Sequence, residues 1–170
     1  QQTWTLWTAG RLNVESPLVG EGFAKLAKKK SRPLNVRIQA LRILGHRIRH
    51  SEKWRPLPDD ALQQIFDMES RVRLATVLAI RRARQKQAID VLLDALSRES
   101  DRVVFYAGWQ TMRVLMPGEE RHRLLKDPRP LVRRAALLSL AEDRDLKDDE
   151  VTPLLGDEDE LTRHVAALWI

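Results

Sequence analysis

The chain has no cysteine among its 170 residues, one tyrosine, and aromatic residues at only 5%. The missing thiols exclude disulfides, thiolate metal sites and cysteine nucleophiles, though not any compartment. No apolar run approaches the ~18 residues that a membrane span needs, and the opening residues do not carry a signal- or transit-peptide pattern. Glycine-rich phosphate loops and a G-x-S-x-G elbow are missing too. No nucleophile, base and orienting group can be assembled from the spacing of the polar residues. These gaps predict a protein that is not an enzyme and holds no metal or cofactor. With 43% hydrophobic and 32% charged residues, what is left reads as a soluble, folded chain.

The histidines do not change that expectation. His46 and His50 stand four apart in HRIRH, a spacing that can place two imidazoles on one helical face. The run lacks the glutamate of a zinc protease, and Arg42, Arg47 and Arg49 crowd it with positive charge. Surface histidines are the simpler reading, and the isolated His122 and His164 read as structural or exposed. The acidic runs Asp148-Asp149-Glu150 and Asp157-Glu158-Asp159-Glu160 fall at helix starts, where carboxylates favour the positive end of the helix dipole.

What the chain does contain is repetition. The stretch DPRPLVRRAALLSLAE, Asp127 to Glu142, opens with prolines that suit only a helix's first turn. Leu131, Ala135 and Leu138 then recur at helical intervals, an amphipathic face that one helix cannot bury alone. Taking Val132 as position zero, equivalents stand at Val36, Val72, Val103 and Thr162, at spacings of 36, 31, 29 and 30 residues. Four residues on, every copy is small: Ala40, Thr76, Ala107, Ala136 and Ala166. Five before zero come Ser31, Asp67, Arg98, Asp127 and Asp157, helix-capping types in four of five. One after zero come Arg37, Arg73, Val104, Arg133 and Arg163. A period near 30 residues with two helices per unit predicts an all-α solenoid.

The motif Asp-Pro-x-x-x-Val-Arg-x-x-Ala resembles the HEAT repeat, and more narrowly the short bacterial HEAT-like repeats also found in phycobilin lyases. The resemblance runs from about Phe23 to Ile170. It implies a right-handed superhelix of about five helix pairs, with units near 1–12 (partial), 17–50, 58–84, 86–115, 118–142 and 148–170, in a single domain that is a piece of a longer array. It also implies ladders of acid and arginine between repeats. That role falls on Asp67, Asp127 and Asp157 and on Arg37, Arg73, Arg133 and Arg163, with a gap where Val104 replaces the arginine. The resemblance further suggests a bacterial source, either cytoplasmic or within a large secreted protein.

Charge supplies the remaining candidate. Residues 1–86 carry 18 Lys/Arg against 7 Asp/Glu, whereas residues 87–170 carry 12 against 17. The basic block from Lys25 to Lys86 contains Lys28, Lys29, Lys30, Arg42, Arg49 and Arg81 as surface candidates, with Trp54 in the least repeat-like loop. Trp4, Trp7, Trp109 and Trp169 fall at core or near-core positions and read as packing. The leading functional expectation is a non-catalytic protein-interaction or scaffolding module, whose partners are another protein or adjoining repeats. One alternative is a nucleic-acid-binding HEAT-like domain using the basic block. The other, implied by the repeat resemblance, is a lyase acting on a tetrapyrrole.

Overall fold

The computed structural model describes residues 2–11, 17–50 and 56–170. Among them every regular element is helical and there is no strand. No described helix is long and apolar enough to cross a membrane. The chain divides into two compact units, Gln1–Ala88 and Ile89–Ile170.

The first unit holds α1 (Gln2–Arg11), α2 (Pro17–Lys28), α3 (Leu34–His50), α4 (Asp59–Leu62) and α5 (Ser70–Ala83). Here α1, α3 and α5 pack side by side, while α2 packs on α3 and on α4. The second unit holds α6 (Ile89–Leu96), α7 (Arg102–Leu115), α8 (Gly118–Leu124), α9 (Pro130–Asp143), α10 (Asp148–Val151) and α11 (Glu160–Trp169). Its α7, α9 and α11 likewise lie in a row, with α6 against α7 and α8 against α9. Each unit is therefore two layers of helices with the apolar residues between them. The first helices of two pairs are short and close in 3₁₀ turns, Gln63–Phe66 and Thr152–Gly156. Pro153 sits in the second of these, where it cannot donate to an α-helical ladder.

Burial shows which residues occupy equivalent places. Val36, Val72, Val132 and Thr162 are all buried. Val103 is 61% exposed, and its neighbour Val104 only 4%. The fourth copy of the motif therefore centres on Val104, one residue later than the spacing suggested. The correction brings the other columns into line. The small position becomes Gly108, buried like Ala40, Thr76, Ala136 and Ala166. The residue after zero becomes Phe105, and the residue five before becomes Glu99 instead of Arg98.

The acidic column does not cap helices in the expected way. The N-caps of α5, α7, α9 and α11 are Glu69, Asp101, Arg129 and Asp159, three before zero in the corrected alignment. The residue five before zero instead bends the chain into the helix. Carboxylate oxygens of Asp67, Glu99, Asp127 and Asp157 accept the N–H two residues on, from Glu69, Asp101, Arg129 and Asp159, at 3.0, 2.8, 2.9 and 2.8 Å. This side-chain turn is one that aspartate makes well. Asp101 and Asp159 are true caps, accepting from the N–H of Val104 and Thr162 respectively.

Candidate functional site

Two groups of side chains come together in ways that bear on function, one structural and one open to solvent. The structural group is built on the arginine after position zero. Arg133 Nη1 donates to the Asp127 carbonyl at 2.8 Å, which ties the helix to its own entry turn. Its Nε and Nη2 donate to the Asp157 carboxylate of the next copy at 2.6 and 3.0 Å. Arg37 makes the equivalent rung, donating from Nη2 to Asp67 at 2.5 Å, and adds bonds to Gln64 Oε1 and the Ala27 carbonyl. Arg73 and Arg163 brace their own entry turns in the same way, donating to the carbonyls of Asp67 and Asp157 at 2.9 and 2.7 Å.

Asp127 stands where the preceding copy offers Phe105 in place of arginine. Its carboxylate is held by Arg129, two residues along, with both contacts at 2.8 Å. The Phe105 ring takes a different cation: the Arg134 guanidinium lies over it at 4.6 Å from the centroid. So the gap in the column is filled locally on one side and by a cation–π contact on the other.

These neighbours set the carboxylates' ionisation. The Arg133 hydrogen bonds hold Asp157 below the ordinary carboxylate value of 3.8, and Arg129 does the same for Asp127. For Asp67 and Asp143 burial is the largest influence and acts upward. The Arg37 contact and the Glu69 N–H outweigh it at Asp67, and Arg113 and Arg121 outweigh it at Asp143, so both also end lowered.

The open group lies on the first unit. A cleft of about 700 Å³ runs between α1, α3 and α5. Its polar lining is Gln39, Arg42 and His46, one face of α3, with Arg82 from α5 and the indole of Trp7 from α1. Gly10 and Ile43 form its floor, and they touch closely: a Cβ on Gly10 would sit 2.9 Å from Ile43. The three helices carry nine arginines and no aspartate or glutamate. Two tryptophans expected in the core are on this surface instead. Trp4 is 74% and Trp7 47% exposed, the rings meeting edge to face at 6.4 Å. Trp109 is buried and pairs with Tyr106 at 5.1 Å.

Of the expected surface residues, only Arg42 lines this cleft. Arg82, not Arg81, joins it from α5, since one helical step turns a side chain by about 100°. Lys28 pairs with Asp60 at 2.8 Å, and Lys29 and Lys30 are exposed outside the cleft. The side chain of Arg49, and Trp54 altogether, lie outside the described residues. His46 falls in the cleft, while His122 sits between Asp145 and Glu150 at 3.4 and 2.9 Å. Among the described residues no group of His, Asp and Glu is placed to hold a metal ion. Set against known protein families, the chain matches no family model, and a comparison with curated proteins gives no match either.

Proposed function

We propose that the chain is a non-catalytic protein-interaction module, a right-handed α-solenoid of about five HEAT-like helix pairs that docks partners on the open face of its second helices. The repeated columns and the Arg–Asp rungs support the HEAT-like reading. One observation carries the docking role. On the second unit, α7, α9 and α11 place Val103, Leu131 and Leu161 one before zero, and Tyr106, Leu138 and Leu168 two or six after it, all on one side of the row. Val103, Tyr106, Leu161 and Leu168 are exposed, and Val114 extends the same face of α7. Scattered exposed apolar side chains need no explanation, but apolar positions that share one side of three neighbouring helices, exposed on α7 and α11 and half-buried at Leu131 and Leu138 of α9, mark an interaction surface.

The test is capture of a protein partner from source-cell extract by the immobilised chain, compared with a Val103→Glu/Leu168→Glu variant. Both positions are exposed, so the variant should fold with stability within about 0.5 kcal/mol of the parent. A captured protein should bind the variant at least about tenfold more weakly, as loss of apolar anchors does at interfaces. Capture that is equal for both proteins would remove this face from the account.

A further inference from the structure

The geometry of the α1–α3–α5 cleft points to a nucleotide site, in which an aromatic heterocycle stacks on Trp7 while its phosphate lies between Arg42 and Arg82. This goes beyond the protein-docking role and rests on different residues. The volume, about 700 Å³, is within the range of small-molecule pockets, which run from roughly 300 to 1,000 Å³. The lining combines the three chemistries that such a ligand requires. The half-exposed Trp7 lines the cleft, and an indole is a surface on which any base can stack. Two guanidiniums from different helices, Arg42 and Arg82, face the same space. Arginine's planar fork of donors matches phosphate oxygens in a way that a lysine point charge does not. The Gln39 amide supplies both a donor and an acceptor for a base edge.

What surrounds the cleft matters as much as what lines it. Neither the lining nor the three helices that frame it contain a carboxylate. Among the described residues, then, the walls of the cleft set no carboxylate beside Arg42 and Arg82, whereas elsewhere the arginines Arg37, Arg113, Arg121, Arg129 and Arg133 are each paired with an aspartate. A cleft lined by one sign of charge focuses its field and concentrates the opposite ion. An acidic polypeptide would satisfy that field but leave Trp7 and Gln39 unused. A phosphate-bearing heterocycle uses all of them. That ligand can be a free nucleotide or one unit of a single strand, and the chemistry of the cleft is the same for both.

Calorimetric titrations of the whole chain at low salt would use adenosine monophosphate, adenosine, inorganic phosphate, an oligothymidylate of about eight nucleotides and polyglutamate. Adenosine monophosphate should saturate one site and bind at least about tenfold more tightly than adenosine or phosphate alone. Trp7→Ala should weaken it by about five- to a hundred-fold, the usual loss of a base stack. Arg42→Glu and Arg82→Glu, both at exposed side chains, should each weaken it at least about tenfold, with unchanged helical circular dichroism. If the oligonucleotide competes and its affinity falls more steeply with salt, the source is a strand, because each neutralised phosphate releases counterions. If the mononucleotide binds more tightly than the oligonucleotide, the source is free nucleotide. Saturation by neither, binding of phosphate alone as tight as the nucleotide, binding only of polyglutamate, or affinity unmoved by Trp7→Ala and Arg82→Glu would each overturn the site. The Val103→Glu/Leu168→Glu variant should bind nucleotide normally, so failure here and failure of the docking face are separate results.

Discussion

Arg37→Ala is expected to lower stability by about 3–5 kcal/mol, the usual cost of removing one partner from a buried ion pair. The side chains of Arg37 and Asp67 are 5% and 4% exposed. Without the guanidinium, Asp67 keeps its bond from the Glu69 N–H but loses its buried partner, and the Ala27 carbonyl and Gln64 Oε1 lose a donor as well. Arg37→Lys should fall between parent and alanine, because an ammonium restores the charge but not the planar fork that reaches three acceptors. Urea melts read both directly. The acid limb of stability should change too. A carboxyl lowered in the folded state stabilises fully above its unfolded value of 3.8, and that contribution is lost as pH falls through the lowered folded value. Asp67, Asp127, Asp143 and Asp157 are all lowered, so the parent should lose stability below about pH 4. In Arg37→Ala the Asp67 share of that loss should shrink, since burial pushes the carboxyl up and the Arg37 bond and charge no longer offset it. A variant as stable as the parent would show that the pair is not buried as described.

The second large effect is expected at Gly45. A helix-interior glycine normally gains about 0.5–1 kcal/mol on replacement by alanine. Here the new methyl would lie 2.7 Å from the Ala79 Cα and 3.1 Å from its Cβ. Those atoms belong to the α5 backbone and its shortest side chain and cannot swing aside. Gly45→Ala should therefore destabilise by roughly 1–3 kcal/mol, the range for an overpacked core. Gly108→Ala is the control. Its methyl would meet the Leu96 Cδ2 at 2.6 Å, the end of a side chain that can adopt another rotamer, so it should cost less. Thermal melts that rank the two in the opposite order would contradict the close approach of α3 and α5.

The helices themselves were legible because the 3.6-residue period, the first-turn Pro130 and the small columns all carry local physics. The placing of the fourth copy was not. Val103-Val104 and Arg98-Glu99 are neighbours that both fit the pattern when spacing alone is used, and Val103 also aligned Ala107 with the small column. What decides between them is a requirement that the spacing does not express. The residue five before zero must accept a hydrogen bond from the N–H two residues on, which Glu99 can do and Arg98 cannot. Rotation hid the rest. In α1 the apolar residues show a helix but not which side lacks a neighbour, so Trp4 and Trp7 read as core. In α5 adjacent arginines at Arg81 and Arg82 point about 100° apart, and only the packing of α5 on α3 selects Arg82 for the cleft. That Asp67, Asp157, Arg37 and Arg133 join successive copies is implied by the HEAT-like resemblance; the period supplies only which residues stand in the two columns.

The Arg133–Asp157 rung joins one helix pair to the next, and a double-mutant cycle on its two residues measures it without an intermediary. Arg133→Ala, Asp157→Ala and the double variant would be compared with the parent by urea unfolding near neutral pH. A rung of this geometry predicts a coupling energy of about 1–3 kcal/mol between the two sites. Additivity within about 0.5 kcal/mol would contradict it, leaving Arg133 as a brace for its own entry turn and the joint between pairs to apolar packing alone.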